Sequence, residues 1–346
     1  DGDEFGILLL GGDAKAASQI FDKLQQNFCK QQEYGGKKYF CTLSAGYAAY
    51  PEDGGNYLEL FKRANYSLEY SKIMGKNRMT VFSRNILADR ERRLELMELL
   101  RESVERGFAG FSIHYQPQAD TLSGRLCGAE ALARWHCGKY GDVSPGEFIP
   151  LMEQSGLIVP FGQWILSHGM AQCLEWCRSR PDFQISVNLS YLQLSQGDFI
   201  SFLRTALEEN SLDPSRLIME LTETYLAKAE EDTLRMIAQM KELGVKIAMD
   251  DFGVGYSSLF SLKSIPVDVV KIDRRFVKGI TSEPFNATFI RSITDLCHDV
   301  GRKVCLEGGE TEEEYEAVRE LGMEYIQGYY FGRPMSARQF EDRLKE

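Results

Sequence analysis

Hydrophobic positions follow two periods in the chain, one typical of strands and one of amphipathic helices. Short apolar runs predict eight strands, at 112–117, 126–135, 184–189, 217–221, 246–249, 269–272, 303–306 and 325–331. Helical spacing between most of them predicts helices, for example at 162–178, 198–209, 227–243, 285–300 and 312–321. Eight strands with interposed helices over about 250 residues predict an α/β protein with a (β/α)8, TIM-like barrel rather than an open sheet.

The N-terminal segment has a different, α+β pattern. Strands are predicted at 5–10, 39–50 and 79–82, and helices at 14–30, with Asp13 as N-cap, and at 58–73, closed by Gly75. These strands are too few for a whole domain. Residues 85–106 are highly charged and contain neither Gly nor Pro, which favours a helical connector. The expected organisation is therefore 1–84 as a partial domain, 85–106 as connector and 107–346 as barrel.

The charge balance limits the classes of ligand. Lys+Arg 40 against Asp+Glu 51 gives a net charge of −11, which argues against binding of DNA or RNA polymers. A small phosphate ligand stays open if divalent cations neutralise the acidic groups. The eight cysteines lack a C-x-x-C spacing and the four histidines are scattered, so we expect reduced, buried thiols and no zinc site.

Location is predicted from the same composition. Reduced thiols predict a cytoplasmic location. No apolar run approaches the ~20 residues of a membrane span, so we expect no membrane contact from this fragment. The chain begins inside a patterned segment, so we expect upstream sequence, and a membrane-anchored longer protein stays open.

Acids and amides stand at the C-terminal ends of most predicted barrel strands, where barrel enzymes carry their active sites. They are Glu130, Asn188, Glu220 with Glu223, Asp250 with Asp251, Lys271 with Asp273, Glu307 and Gln327. A single such residue is usually a helix cap or turn residue, but converging carboxylates repel one another unless cations lie between them. Oxygen donors suit Mg²⁺ or Mn²⁺, and the adjacent Asp250 and Asp251 indicate two ions, an arrangement common in phosphate ester hydrolysis.

Seven motifs in order carry a family resemblance. They are EALARW at 130–135, FIP at 148–150, SVNLS at 186–190, ELTE at 220–223, DDFGVGYSS at 250–258, KIDR at 271–274 and QGY at 327–329. From about Arg93 to the C-terminus the chain resembles the EAL domain, the bacterial cyclic-di-GMP phosphodiesterase.

The first segment is similar to the C-terminal half of a GGDEF, or diguanylate cyclase, domain. The similarity rests on GDEF at 2–5, LSAG at 43–46, the Tyr50-Pro51 pair, Lys72 and GKNR at 75–78. Asp1 stands where the family has its first glycine, and the family's N-terminal half is not in the sequence. We therefore expect no cyclase activity from this chain.

The EAL resemblance implies metal and catalytic roles. Glu130, Asn188, Glu220 and Asp250 would bind one cation, and Asp250 with Asp251 the second. Lys271 would hold the attacking water. Glu307 is implied as general base or water-mediated ligand, and the alternative is a supporting anchor for the site.

The substrate positions implied by the resemblance are Gln116, Leu132, Arg134, Asp273 and Gln327. The Arg134 guanidinium suits a phosphate clamp, and a surface salt bridge is its alternative. Asp273 has the alternative of pairing with Arg274 or Arg275.

The expected function is hydrolysis of cyclic-di-GMP to linear pGpG with two Mg²⁺ or Mn²⁺ ions. A catalytically silent cyclic-di-GMP receptor is the alternative from another class, and a bifunctional cyclase and phosphodiesterase is disfavoured. The family departures are Gln118, where an aliphatic residue is usual, and Gly309, where valine is usual. A glycine at 309 is expected to loosen the turn after Glu307.

A homodimer is expected through the loop 250–258 and the helix after it, with Glu223 supporting the loop. The apolar side chains proposed for the contact, with burial against the chain's own barrel as the alternative, are Leu259, Phe260, Leu262 and Ile265.

Overall fold

The computed structural model describes residues 2–195, 198–227, 229–254, 262 and 265–345, without the side chain of Lys37. The chain divides into two compact units, Asp1–Glu98 and Leu99–Glu346. The division, between Glu98 and Leu99, falls inside a helix that spans Arg84–Glu105.

The N-terminal unit combines short strands with two helices. Its elements are α1 (Ala14–Phe28), β1 (Gln32–Tyr34), β2 (Lys37–Tyr39), β3 (Ala45–Tyr47), α2 (Tyr57–Ile73), β4 (Met79–Val81) and the first part of α3 (Arg84–Glu105). Strands β1 and β2 pair antiparallel, and β3 and β4 pair in parallel. Asp13 caps α1 as predicted, because its Oδ1 accepts a hydrogen bond of 2.8 Å from the Ala16 amide.

Several predictions for this unit are wrong in detail. Residues 5–10 form no strand, and the side chains of Phe5, Leu8 and Leu10 are 87%, 79% and 89% exposed. A strand needs a neighbour for its backbone hydrogen bonds, and none pairs with these described residues. The predicted strand 39–50 is interrupted at 40–44.

The thiols also differ from expectation in one respect. All eight cysteines are free, but Cys29 and Cys41 are exposed rather than buried. Both lie in the N-terminal unit, whose short strands cover little of the surrounding chain.

The second unit is a closed barrel, which confirms the predicted fold. Its strands are β5 (Phe111–Asp120), β6 (Leu126–Cys137), β7 (Gly141–Val143), β8 (Gln184–Asn188), β9 (Leu217–Thr222), β10 (Lys246–Phe252), β11 (Val269–Ile272), β12 (Lys303–Glu307) and β13 (Tyr325–Gln327). The order around the barrel is β5-β6-β8-β9-β10-β11-β12-β13, with β13 pairing back to β5. Strand β7 only extends the end of β6 as a hairpin. The last strand ends at Gln327, because a turn follows where a strand to 331 was predicted.

One strand runs against the others. Strand β5 is antiparallel to both β6 and β13, whereas β6 and β8–β13 are parallel. In this register Gln116 lies opposite Glu130 and Gln118 lies opposite Gln327. Side chains in the middle of β5 therefore reach the layer that the other strands supply from their C-terminal ends.

Helices follow or join these strands. They are α4 (Pro145–Ser155), α5 (Ile158–Cys177), α6 (Tyr191–Ser195), α7 (Phe199–Asn210), α8 (Glu223–Leu226), α9 (Glu231–Glu242), α10 (Pro284–Asp299), α11 (Glu312–Arg319) and α12 (Ala337–Lys345). Trp135, Phe148 and Phe161 are at most 1% exposed and pack together beside the barrel wall. Truncating one such aromatic costs about 3–5 kcal/mol, so this packing holds β6 in place. Among the helices in the described stretches, none has the length and apolar character needed to cross a bilayer.

Candidate active site

A buried ammonium lies at the centre of the barrel mouth. The Lys271 Nζ atom, on β11, lies 2.7 Å from Oε2 of Glu220 on β9 and 2.7 Å from Oε1 of Glu307 on β12. It is also 3.3 Å from Oε2 of Glu130 on β6 and 3.3 Å from Oδ1 of Asp250 on β10. Alternate residues of barrel strands face inwards, so these side chains from five strands converge. Four carboxylates share one ammonium, which leaves the cluster rich in negative charge.

Glu130 is the most extensively hydrogen-bonded of the acids. The Asn188 Nδ2 atom donates to its Oε1 at 2.7 Å, and the Gln327 Nε2 atom donates to its Oε2 at 2.6 Å. Gln327 Nε2 also lies 3.2 Å from Oε1 of Gln116. The structure thus brings these four predicted site residues together in one network, in which Glu130 and Gln327 are buried, Gln116 is half-buried and Asn188 is exposed.

The carboxylates differ in electrostatic character. Burial raises the pKa of Glu130, but the Lys271 ammonium and the Gln327 and Asn188 donors outweigh burial and hold the pKa below its usual range. Burial, followed by repulsion from Glu130, raises the pKa of Glu220 well above its usual range.

Glu307 and Lys271 are also shifted. Burial raises the pKa of Glu307 to about 7, with Asp250 and Glu130 adding to the rise and Lys271 opposing it. Burial lowers the pKa of Lys271, but the surrounding carboxylates, Asp250 first, outweigh it and raise that pKa well above its usual range. Lys271 therefore stays charged, while burial and repulsion between the acids favour the neutral forms of Glu220 and Glu307 beside it.

Asp251 has a strained backbone beside the cluster. Its φ is 57°, in the left-handed region that non-glycine residues seldom adopt, and the β10–β11 register shifts between Met249 and Phe252. Desolvation, then repulsion from Asp250 and Asp273, raises the pKa of Asp251.

Asp273 has a structural partner at the end of β11. Its Oδ1 accepts hydrogen bonds from Nε of Arg275 at 2.8 Å and from the Arg275 amide at 3.0 Å. The structure therefore shows the alternative arrangement, pairing with Arg275, that the sequence left open for this residue.

Glu223 is tied to the loop after β10. It is 2% exposed, and its Oε2 accepts a hydrogen bond of 2.9 Å from the Gly253 amide. Gly253 has φ +95°, and a Cβ there would lie 2.6 Å from the Phe276 ring, so only glycine fits.

Only some of the residues expected to form the dimer contact lie in the described part of the chain. Residues 255–261, which include Leu259 and Phe260, lie outside the described residues. Leu262 and Ile265 are 3% and 5% exposed, which agrees with the alternative, burial within the chain.

Comparisons with known proteins identify this barrel. The EAL domain family model matches residues 97–334. The chain belongs to the EAL family. Residues 1–78 match the family model described as diguanylate cyclase, GGDEF domain, so a partial GGDEF domain precedes the EAL barrel.

Relatives of this EAL chain include proteins named as cyclic di-GMP phosphodiesterases. The bifunctional diguanylate cyclase/cyclic di-GMP phosphodiesterase MucR of Pseudomonas aeruginosa is 35% identical over 339 residues, covering 98% of this chain and 49% of MucR. The cyclic di-GMP phosphodiesterase NbdA of the same organism is 31% identical over 345 residues, covering 99% and 44%. The solved PaMucR phosphodiesterase in complex with c-di-GMP is 38% identical with a TM-score of 0.66, covering 71% of this chain and 99% of that chain. The chain thus spans about half the length of these curated relatives or less.

The donor set of the EAL barrel fits a hard divalent cation. Oε1 of Glu220 is buried and has no hydrogen-bond partner, a costly state that a cation would relieve. Oδ1 of Asp250 is also buried, and it makes no hydrogen bond beyond its ion pair with the Lys271 ammonium at 3.3 Å. In the described part of the chain, no three His, Cys, Asp or Glu side chains are already arranged as a ligand set, and the Lys271 ammonium lies among the carboxylates. The chemistry of the oxygens and their excess charge support cation binding.

Arg134 and Leu132 lie on the same side of β6 as Glu130, because alternate residues of a strand share a face. Both are half-buried, and Nη1 of Arg134 donates to the Ala133 carbonyl at 2.7 Å. Burial lowers the pKa of Arg134, against the influence of Tyr329 and Glu130.

Two features of the EAL site were missed by sequence analysis. The Arg333 guanidinium lies 4.2 Å from the centroid of the Tyr329 ring. The only sign of this contact in the sequence was that Tyr329 stands two residues after Gln327 in the QGY motif. The second feature is Gln118, which contacts Gln327 and was noted only as a departure from the family.

Proposed function

We propose that this EAL chain hydrolyses cyclic-di-GMP to linear pGpG with two Mg²⁺ or Mn²⁺ ions. The observation that carries the proposal is the Lys271 cluster, in which four carboxylates from four strands share one ammonium. Membership of the EAL family supports it, as do the names of MucR, NbdA and the PaMucR complex with c-di-GMP.

The residues proposed for the first cation are Glu130, Asn188, Glu220 and Asp250, and Asp250 with Asp251 would serve the second. Two buried oxygens support this assignment: Glu220 Oε1, which has no hydrogen-bond partner, and Asp250 Oδ1, which lies 3.3 Å from the Lys271 ammonium. When bound, such ions would neutralise phosphate charge and make a water molecule more acidic.

The chain's own side chains then bind and orient the reactants. Lys271 donates hydrogen bonds to Glu130 and Glu220, and the same ammonium would orient the attacking water. Glu307, 2.7 Å from Lys271 Nζ, is the proposed acceptor of that water's proton, with the anchoring role as the alternative.

The substrate is proposed to lie above this cluster. Arg134 would pair with a phosphate through two of its guanidinium donors. Gln116, Leu132, Asp273 and Gln327 would line the same mouth, with Gln327 linking the substrate side to Glu130.

One experiment tests the proposal directly. The chain is incubated with cyclic-di-GMP and Mg²⁺ or Mn²⁺, and products are separated by chromatography, beside Glu130→Gln and a surface control, Glu209→Gln. We expect pGpG from the unsubstituted chain and from Glu209→Gln, and none from Glu130→Gln or with EDTA. Full turnover in EDTA would refute the metal assignment. Tight cyclic-di-GMP binding without product would instead identify a silent receptor.

The same proposal covers organisation and location. We propose that residues 1–84 act as a partial GGDEF domain, 85–106 as connector and 107–346 as phosphodiesterase barrel. Eight free thiols support a reducing, cytoplasmic compartment. Labelling the chain in fractionated cells tests this location, and recovery with the cell envelope would contradict it.

We also propose a homodimer through the loop 250–258 and the helix after it, with Glu223 holding the start of that loop through its hydrogen bond from the Gly253 amide. Sedimentation and initial rates are measured over one concentration range. Specific activity should fall as dimers dissociate, and a fully active monomer would disprove the coupling.

A further inference from the structure

Gln118 is a buried amide in the layer beneath the carboxylates. It lies two residues before the C-terminal end of β5 and is 7% exposed. Its Nε2 atom donates to Oε1 of Gln327 at 2.8 Å and lies 3.3 Å from the Ser186 hydroxyl oxygen. Gln118 contacts no carboxylate in these hydrogen bonds, so any effect on the acids passes through Gln327.

This bond determines which end of the Gln327 amide faces Glu130. An amide has one acceptor end and one donor end. Since the acceptor Oε1 receives the Gln118 proton, Nε2 is the end that meets Glu130 Oε2, at 2.6 Å. The reversed amide would place two donors together at Gln118 and two acceptors together at Glu130, which is unfavourable at both ends.

The backbone around Gln118 is shaped for its side chain. Gly128 lies opposite Gln118 on β6, and a Cβ at Gly128 would lie 2.9 Å from Gln118 Oε1. On the other side, the antiparallel register places Gln118 directly opposite Gln327. An aliphatic residue would fill the same space but supply no donor to Gln327.

We propose that Gln118 is a positioning residue that fixes the Gln327 amide, and through it the orientation of the Glu130 carboxylate towards a divalent cation. The inference rests on the proposed function, because it assigns Glu130 to cation binding. Gln118 acts in the absence of substrate, so its substitution should change the affinity for the cation and not only the turnover rate.

The test measures Mn²⁺ affinity without substrate, by titration of the full chain. Gln118→Met keeps the approximate volume and removes the donor, and we expect it to weaken Mn²⁺ binding about three- to tenfold, the effect of one lost buried hydrogen bond. Gln118→Asn, which is too short to keep the 2.8 Å bond, should weaken binding similarly and serves if the Met variant does not fold. Tyr325→Phe, which loses an exposed hydrogen bond from Lys303 on a neighbouring strand, should bind Mn²⁺ like the unsubstituted chain.

A double-mutant cycle separates positioning from packing. In a Gln327→Met background, Gln118→Met should change the Mn²⁺ dissociation constant by less than twofold, because the amide through which it acts is gone. An equal loss in both backgrounds would overturn the inference. If the unsubstituted chain binds Mn²⁺ and the Gln118 variants bind it equally tightly, the inference alone fails. If the unsubstituted chain binds none, the proposed function fails with it.

Discussion

The Nζ atom of Lys271 lies 2.7 Å from Oε2 of Glu220, and their side chains are 2% and 0% exposed. Such a pair contributes little net stability when intact, because desolvation offsets the attraction. Removal of one partner is costly, since it leaves the other charge buried and uncompensated. The stability of the barrel therefore depends on a positive charge, from Lys271 or a bound cation, beside the buried carboxylates.

We expect Lys271→Met to lower the free energy of unfolding by about 3–5 kcal/mol in EDTA, because four acids lose their shared ammonium. Urea unfolding measures the loss, and added Mg²⁺ should recover part of it. Lys241→Met is the control, since Lys241 pairs with Asp268 at 2.6 Å where both are about one-third exposed, and it should cost about 1 kcal/mol or less. Equal losses in the two variants would contradict this account.

Glu223→Gln should reduce kcat more than it raises KM. The substitution keeps an acceptor for the Gly253 amide but removes the charge that strengthens the bond, so the segment bearing Asp251 is held less firmly. Steady-state kinetics with cyclic-di-GMP measure both constants, with Glu209→Gln on the surface of α7 as control. A raised KM with unchanged kcat would assign Glu223 to substrate binding instead.

The turn after Glu307 offers a matched pair of glycines. At Gly309 an added Cβ would meet only the Ile326 Cδ1 atom, at 3.5 Å, and the backbone is not left-handed. At Gly308 φ is +99° and an added Cβ would lie 2.2 Å from Arg274 Cβ. We expect Gly309→Ala to stabilise by about 0.4–1 kcal/mol and Gly308→Ala to destabilise by more than that.

Thermal unfolding of the two variants measures these effects. A destabilised Gly309→Ala would show that the position requires glycine. The loosened turn expected from the sequence is already tied down, because the Gly308 amide donates to the Gln327 carbonyl at 2.7 Å and the Tyr330 amide donates to the Gly309 carbonyl at 3.0 Å.

We expect no cyclic-di-GMP from GTP. Glu4 forms an exposed ion pair with Lys72 at 2.9 Å, and the following residues 5–10 form no strand, so the acids of this segment lack a rigid support. The assay uses the Glu130→Gln variant with GTP and Mg²⁺, so that any product is not hydrolysed. Cyclic product in this variant would establish a bifunctional chain.

The pattern of apolar and polar positions along the chain was enough to predict the barrel and the acidic residues at its mouth. Short apolar runs predicted eight strands, because successive side chains of a barrel strand point alternately into the barrel and towards the surrounding helices. Helical spacing predicted the helices between them. Glu220 and Asp250 were recognised near strand ends, since the C-terminal ends of parallel strands meet at one mouth, whereas Glu130 lies inside the longer strand β6. The same reasoning gave a wrong prediction at residues 5–10. This apolar run forms no strand, because no strand among the described residues pairs with it.

Only the tertiary structure decided which atoms meet. The reversal of β5 places Gln118 opposite Gln327, and no local pattern in β5 reports the direction of its neighbours. The four contacts of Lys271 join residues far apart in the chain, the most distant pair being Lys271 and Glu130, 141 positions apart. Sequence specifies side-chain chemistry and local periodicity, whereas hydrogen-bond direction and charge sharing depend on distances of a few ångströms that exist only once the barrel is closed.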